Sequence, residues 1–460
     1  MSLWSLNEAK KYTDKRLREL DFGKIYGVYW DKGENPALTR THDAIGMSAA
    51  VGIDGAFANN DFDNAEIYRE IGEVTDSLGN VFIRIPKFYI RKTDGAGFKT
   101  WQISKTQYPG FYLPWCFWDF STNAELPYID VGKYKGSLGA GNKLQSIPDV
   151  YPLSNTNIVN MRTYATNNNA GGLAGYQQLD IHAVDMLRTL MIVEFATLDI
   201  QSVMVGFTNG RYDATDKAVA ATETGNTIIV TNATGANYCV GQTISIHLAD
   251  ATISGLPNTY GRTITEIEVD TPEAGQTTIT FDGDTINVAV NDFMLNTAWK
   301  NGFSSQIAAS SGCIVANDGK YPCVYRGIES PFGDMWQFVD GVNITDRQVW
   351  ICKNAVSYAS NVFASPYEQL NYVNANTTNY VKEMGFDATF PFAEFPVAVI
   401  SNGETQYYCD NYYQDAGQRI ALFGGFWYSG MSAGLSFWGL TFASSPSGVS
   451  LGGRLLKKPL

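Results

Sequence analysis

Between Gly424 and Arg454 the chain reads GGFWYSGMSAGLSFWGLTFASSPSGVSLGGR, with Phe426, Trp427, Tyr428, Met431, Leu435, Phe437, Trp438 and Phe442 set among glycine and serine and no charge before Arg454. Apart from the Tyr428 phenol, the large side chains named carry no proton-transfer or nucleophilic chemistry. What they offer is contact area, Tyr and Trp giving rigid amphipathic surface at small entropic cost. A carbohydrate or a protein receptor suits such anchors equally, and core packing or a trimer interface is the competing use. So many glycines make a regular helix costly and an unbroken strand unexpected, which leaves irregular loops. The run Tyr407, Tyr408, Asp410, Asn411, Tyr412 and Tyr413 would extend the same patch.

Residues that could do covalent or metal chemistry form no constellation. His42, His182 and His247 are far apart, and Cys116, Cys239, Cys313, Cys323, Cys352 and Cys409 include no CxxC, so buried free thiols are expected. Asp61 and Asp63 with Asn59, Asn60 and Asn64 resemble a calcium loop in composition only. They lack the mid-loop Gly and final Glu of an EF-hand, and read as an Asx-rich turn. A glycosidase needs two carboxylates across a cleft, and nothing among 46 acidic residues selects a pair. The expectation is a protein that is not an enzyme, with no catalytic residue, metal or cofactor.

Lys and Arg number 33, for a net charge of −13, and no basic cluster forms a phosphate track, so nucleic acid is not an expected partner. Charged residues are only 17% while aromatics reach 13%, with 44 Gly, a balance that favours β-rich structure with many turns. The first residues are charged rather than signal-like, and no run of about 18 apolar residues exists to insert in a membrane. Synthesis in a cytoplasm, with release by lysis or within a particle, follows as an expectation.

The elements that would position the aromatics divide as follows. Ser5–Leu20 reads as an amphipathic helix with a Ser5/Glu8 capping box, within an attachment or oligomerisation segment over 1–22. Short strands and turns fill Lys24–Gly136, including Val81–Ile90, where Pro86 argues for an edge strand or bulge. The block Pro109–Phe120, PGFYLPWCFWDF, is either core or an exposed stacking platform for sugar rings. Ser154–Gly175 reads as an Asn/Gly-rich surface loop. Asp180–Thr197 is a helix capped by Asp180, with Val184, Leu187, Met191 and Phe195 inward; His182 and Glu194, about three turns apart, read as surface groups. From Asp213 the composition shifts to Thr, Val, Ile and Asn, with strands expected near Asn226–Val230, Gln242–Leu248, Arg262–Val269, Gln276–Phe281 and Thr285–Val290. That predicts a small barrel or sandwich over 213–294, inserted between body segments 23–212 and 295–460. Within the second of these, Tyr325–Gly341 (YRGIESPFGDMWQFVDG) reads as a loop entering a core strand or short helix, a scaffold rather than a reaction centre.

Gly333–Asp340 is similar to the Gly-Asn-Val-Trp-Glu-Trp segment of the formylglycine-generating-enzyme branch of the C-type lectin fold. LTRTHDAIGM, NNDFDNAEIY and GNVFIRIPKFYIRK resemble the opening of tail proteins of phages infecting Gram-positive bacteria, and LMIVEFATLDIQSVMVG resembles their second lectin-fold helix. Gly424, Gly425, Trp427, Gly434, Gly453 and Arg454 match the framework of the C-terminal signature shared with phage tropism determinants and the variable proteins of diversity-generating retroelements. The resemblance implies an α+β, C-type-lectin-like body and a tail-tip receptor-binding protein in the virion, with a homotrimer, other tail proteins and a bacterial surface receptor as partners. A structural tail or baseplate component is the alternative. It also implies that ligand meets Phe426, Tyr428, Ser429, Met431, Leu435, Phe437, Trp438, Phe442 and Ser444. Phe, Trp, Met and Leu stand where diversified members have Asn, Tyr, Ser and Asp. The enzyme branch needs a paired cysteine site near its C-terminus, whereas only Cys409 falls in the last hundred residues.

Overall fold

The computed structural model describes residues 23–253, 259–375 and 378–460. The expected helix Ser5–Leu20 lies outside them. Strands hold 37% of the residues and helices 13%, so the body is mostly β with few helices.

The largest sheet explains the central stretch. Its strands run in the order Glu368–Val373, Gln348–Ile351, Trp336–Thr345, Gln418–Phe423, Trp438–Leu440, Asn411–Gln414, Asn379–Met384 and Pro396–Ile400, with Leu451–Gly452 joining parallel to Trp336–Thr345. Trp336–Thr345 is flanked on both edges and is buried at every position except its last. It is a strand, not a short helix. Asp334, just before it, and Asp340, within it, are internal ties. Asp334 accepts from the Trp299 N–H at 2.9 Å and the Ser330 hydroxyl at 3.0 Å, and Asp340 takes both arms of Arg162 at 2.6 and 2.8 Å. A bidentate guanidinium–carboxylate pair of this kind fixes geometry as well as charge.

A second sheet joins the two ends of the body: Leu455–Lys457 sits between Tyr176–Gln178 and Tyr128–Gly132, followed by Val81–Pro86 and Gly72–Thr75. Val81–Pro86 is therefore an internal strand, correcting the edge expectation. Pro86 is its last residue, where a missing N–H does no harm, and a new strand starts at Tyr89. A third sheet is ordered Thr39–His42, Ile25–Asp31, Phe98–Ser104 and Tyr89–Gly95.

The helix Ile181–Phe195 packs against these sheets, with the Asp180 carboxylate accepting the Ala183 N–H at 2.8 Å. Every residue in it except Leu187 is buried, so the single inward stripe is too narrow a reading. His182 and Glu194 are interior groups, which corrects their placement at the surface. The His182 ring lies 4.4 Å from that of Phe392 with Nε2 3.2 Å from the Cys352 carbonyl. Glu194 accepts from Asn60, Tyr325 and both arms of Arg326 at 2.6–2.9 Å. Ser154–Gly175 is not all loop: Ile158–Thr166 is helical, capped by Asn157, with Ile158, Met161 and Ala165 buried. Their spacing of three and four residues puts them on one face, a pattern that surrounding asparagines and glycines conceal.

Residues 213–294 contain Thr227–Thr231, Thr243–His247, Thr259–Val269, Gln276–Phe281 and Ile286–Val288. The first four join Phe293–Asn296 in a five-stranded antiparallel sheet, and Ile286–Val288 pairs separately with Thr222–Gly225. An apolar cluster of this stretch's own, including Ile228, Val230, Ile244, Ile246, Ile279 and Phe281, fills it. Asn60 caps the short turn Asp61–Asn64 by accepting the Phe62 N–H, as an Asx turn does. The six cysteines are unbonded to one another, and all but Cys239 are buried.

Candidate ligand-binding surface

The Gly424–Arg454 aromatics split according to what they pack on. Past Phe423 the backbone turns through Gly424 and Gly425, both at positive φ (+90° and +86°). A Cβ on Gly425 would sit within about 3 Å of the Phe437 ring, the Ser429 hydroxyl and Ala433, so the turn needs glycine for space as well as angle. Trp427 then enters the core, fully buried, while Tyr428 and Met431 point out, 47% and 48% exposed.

This tip is held from below. The Ser429 hydroxyl accepts the Phe426 N–H at 2.9 Å, and the Phe426 carbonyl accepts the Ser429 N–H at the same distance. Gln201 donates to the Gly430 and Ala433 carbonyls at 2.9 and 2.6 Å. Gly430 donates to the Thr208 carbonyl, and Gly210 to that of Trp427. Anchored at so many points, the tip presents its side chains in a set geometry and loses little entropy on contact.

Tyr212, which sequence reasoning missed, completes the surface. Its ring lies 5.7 Å from Phe426, 5.8 Å from Trp427 and 6.4 Å from Tyr428, and burial pushes its hydroxyl pKa up. It immediately precedes the composition shift at Asp213, the only local signal it carries. Tyr212, Phe426 and Tyr428 thus form one aromatic patch, with the half-buried Ser429 and the exposed Met431 next along the chain.

The other expected contact residues lie elsewhere. Leu435, Phe437 and Trp438 are 2%, 0% and 0% exposed, correcting their placement on the ligand-facing surface. Trp438 opens an inner strand and packs on Phe395 and Phe423, and Phe437 packs on Trp336. Glycine beside them signals close approach rather than loop: a Cβ on Gly439 would meet the Trp336 ring at 3.2 Å. Phe442 and Ser444 are half-buried beyond that strand, where the Phe442 carbonyl accepts the Ile420 N–H and the Ser444 hydroxyl pairs with Asn361 at 3.2 Å. In the tyrosine run, Tyr408, Asp410 and Tyr412 are core, and Tyr413 alone is well exposed. Burial raises the Asp410 carboxyl pKa well above its ordinary value, while the Ser436 N–H donates to it. Among the framework residues, Arg454 is buried and donates to Gln337 and to the carbonyls of Gly132, Lys133, Glu329 and Ser330. Five acceptors for one guanidinium make it a clasp between the body's halves.

The Pro109–Phe120 block is divided: Phe111, Cys116 and Phe117 are core, and Tyr112, Trp115, Trp118 and Phe120 are half-exposed. Among the described residues, no group of three or more His, Cys, Asp or Glu is placed to hold a metal ion. No known family model matches the chain, and no curated protein matches it either.

Proposed function

We propose that the protein is a phage or prophage-derived tail receptor-binding protein that adsorbs to a bacterial surface ligand. In this reading it has a C-type-lectin-like body of the formylglycine-generating-enzyme branch, an inserted β domain over 213–294 and an N-terminal attachment helix. It works as a homotrimer in the virion tail and reaches the exterior by host lysis. The observation that carries the proposal is the outward pair Tyr428 and Met431 on a tip anchored to Gln201, Thr208 and Gly210. Large side chains left half in solvent on a rigid base are what a recognition surface requires. Trimerisation would multiply weak single-site contacts into avidity.

The competing reading is a structural tail or baseplate component, favoured by the burial of Leu435, Phe437 and Trp438 in the chain's own core. Adsorption of labelled protein to a panel of intact Gram-positive bacteria separates the two. Strain-selective adsorption that falls about tenfold or more in a Tyr428→Ala, Met431→Ala double variant of unchanged fold and oligomeric state is expected. Adsorption to no strain, with the variant failing to assemble, would favour the structural component.

A further inference from the structure

We propose that the turn Pro114–Phe120 is the centre of a second binding site, for a neutral oligosaccharide. The turn is built to face outward. Its short helix Trp115–Phe117 sends Cys116 and Phe117 into the core, both 0% exposed, and leaves Trp115, Trp118 and Phe120 half in solvent. The Trp115 ring stands perpendicular to Trp118 at 6.0 Å and stacks on Phe120 at 5.5 Å. Lys458, 5% exposed, donates to the carbonyls of Trp115 and Trp118 at 3.2 and 3.1 Å, tying the backbone inward behind the rings.

Trp118 is the wall between two cavities. One of about 580 Å³ also meets Trp115, Tyr112, Gln107, Asp94 and Glu125. The other, about 370 Å³, also meets Phe120, Tyr176, Gln177 and Asn354. Both volumes fall in the range of small-ligand sites, and both mix aromatic faces with a few polar groups. Neither indole N–H of Trp115 and Trp118 has a hydrogen-bond partner among the described residues. Glu125 uses one carboxylate oxygen for both Lys87 and Tyr89, which leaves the other for a ligand hydroxyl.

Flat rings with donors and acceptors at their rims match a pyranose, which presents C–H on its faces and hydroxyls around its edge. Charge selects within the sugars. Every charged group lining the larger cavity already has an opposite partner: Lys92 has Asp185 and Glu394, Asp94 has Lys32 and Lys99, and Glu125 has Lys87, while the chain as a whole carries −13. A phosphate or uronate polymer would find no unpaired cation in that lining and would be disfavoured by the net charge of the chain, whereas a neutral chain would not be. The site shares no residue with the Tyr428 tip and stands whether or not the tip binds a receptor.

The test uses the full chain and isolated sugars rather than cells, so it is independent of adsorption. Binding is measured on an array of neutral hexose and N-acetylhexosamine oligosaccharides, with poly(glycerol phosphate) and unrelated peptides alongside. Tryptophan fluorescence titration with the neutral hexasaccharides of glucose, mannose and N-acetylglucosamine follows. At least one neutral sugar should bind, about tenfold or more weaker to Trp118→Ala and unchanged for Tyr428→Ala. Glu125→Gln, which keeps the side-chain volume, should also weaken binding and serves if Trp118→Ala does not fold. Binding of no arrayed neutral sugar, of the phosphate polymer or a peptide alone, or equally by both site variants would overturn the proposal.

Discussion

At the residue scale, the body depends on buried and half-buried charges, of which Lys92 and Asp94 also line the larger cavity beside Trp118. Lys92, Lys99 and Arg188 face Asp94, Asp185 and Glu394, and Glu394 is central, with the Lys99, Lys92 and Arg188 nitrogens at 2.5, 3.0 and 3.5 Å. Burial alone would raise the Glu394 carboxyl pKa, but these three cations outweigh it and hold that pKa well below the ordinary range. Removing one partner leaves uncompensated charge in the interior, so Glu394→Gln should cost about 3–5 kcal/mol in denaturant unfolding at neutral pH. His182 gives a pH signature at a different point on the scale. Burial pushes its imidazole pKa down to about 4 from an ordinary 6.5. Above pH 6.5 neither folded nor unfolded ring is charged. Between pH 6.5 and 4 only the unfolded ring binds a proton, so stability falls as pH drops, by at most about 1.4 kcal/mol per unit. The Glu394 contribution has the opposite group but the same direction, complete above its ordinary pKa of 4.5 and lost below it. Unfolding free energies measured from pH 7 to 4.5 should therefore decline in the wild type and decline less in His182→Asn.

At the element scale, the outward tip at Tyr428 is a property of its turn. Gly425 is at φ +86° with no room for a methyl group, so Gly425→Ala should destabilise the protein by about 1–3 kcal/mol and weaken adsorption, although no contact residue is altered. Thermal unfolding and cell binding of that variant check both parts. The helix Ile181–Phe195 makes a contrasting case. The Asp180 carboxylate caps Ala183 and also accepts from Gln177 at 2.6 Å and Tyr358 at 3.0 Å. Asp180→Ala should thus exceed the cost of an ordinary lost cap, at about 2 kcal/mol or more by chemical denaturation. This cap was legible because its chemistry is local. The helix's all-round burial was not, because Glu194 reads as solvent-facing until its partners Asn60, Tyr325 and Arg326 arrive from distant parts of the chain.

At the scale of the whole molecule, the stretch 213–294 leaves and rejoins the body at one place. Asn296 N–H donates to the Arg211 carbonyl at 2.9 Å, and Arg211 N–H to the Asn296 side chain at 2.7 Å. A chain in which a short Gly/Ser linker joins Tyr212 to Leu295 should keep the body's near-ultraviolet circular dichroism and its Tyr428-dependent adsorption. Its melting temperature should be lower, because Gln242 to the Lys320 carbonyl and Tyr151 to Thr263 are lost. An aggregated product would show that the body needs this stretch to fold. Local order was already determined by the sequence: the strands of 213–294, the Asp180 cap and the Asn60 turn all follow from neighbours, turns and residue type. Exposure among similar aromatics was decided only by the tertiary structure. Tyr428 and Trp438 stand in the same glycine-rich stretch, yet one meets solvent and the other lies between Phe395 and Phe423, because burial depends on which distant strands pack alongside. Tyr212 joined the tip for the same reason, as a fold brings together side chains that sequence keeps far apart.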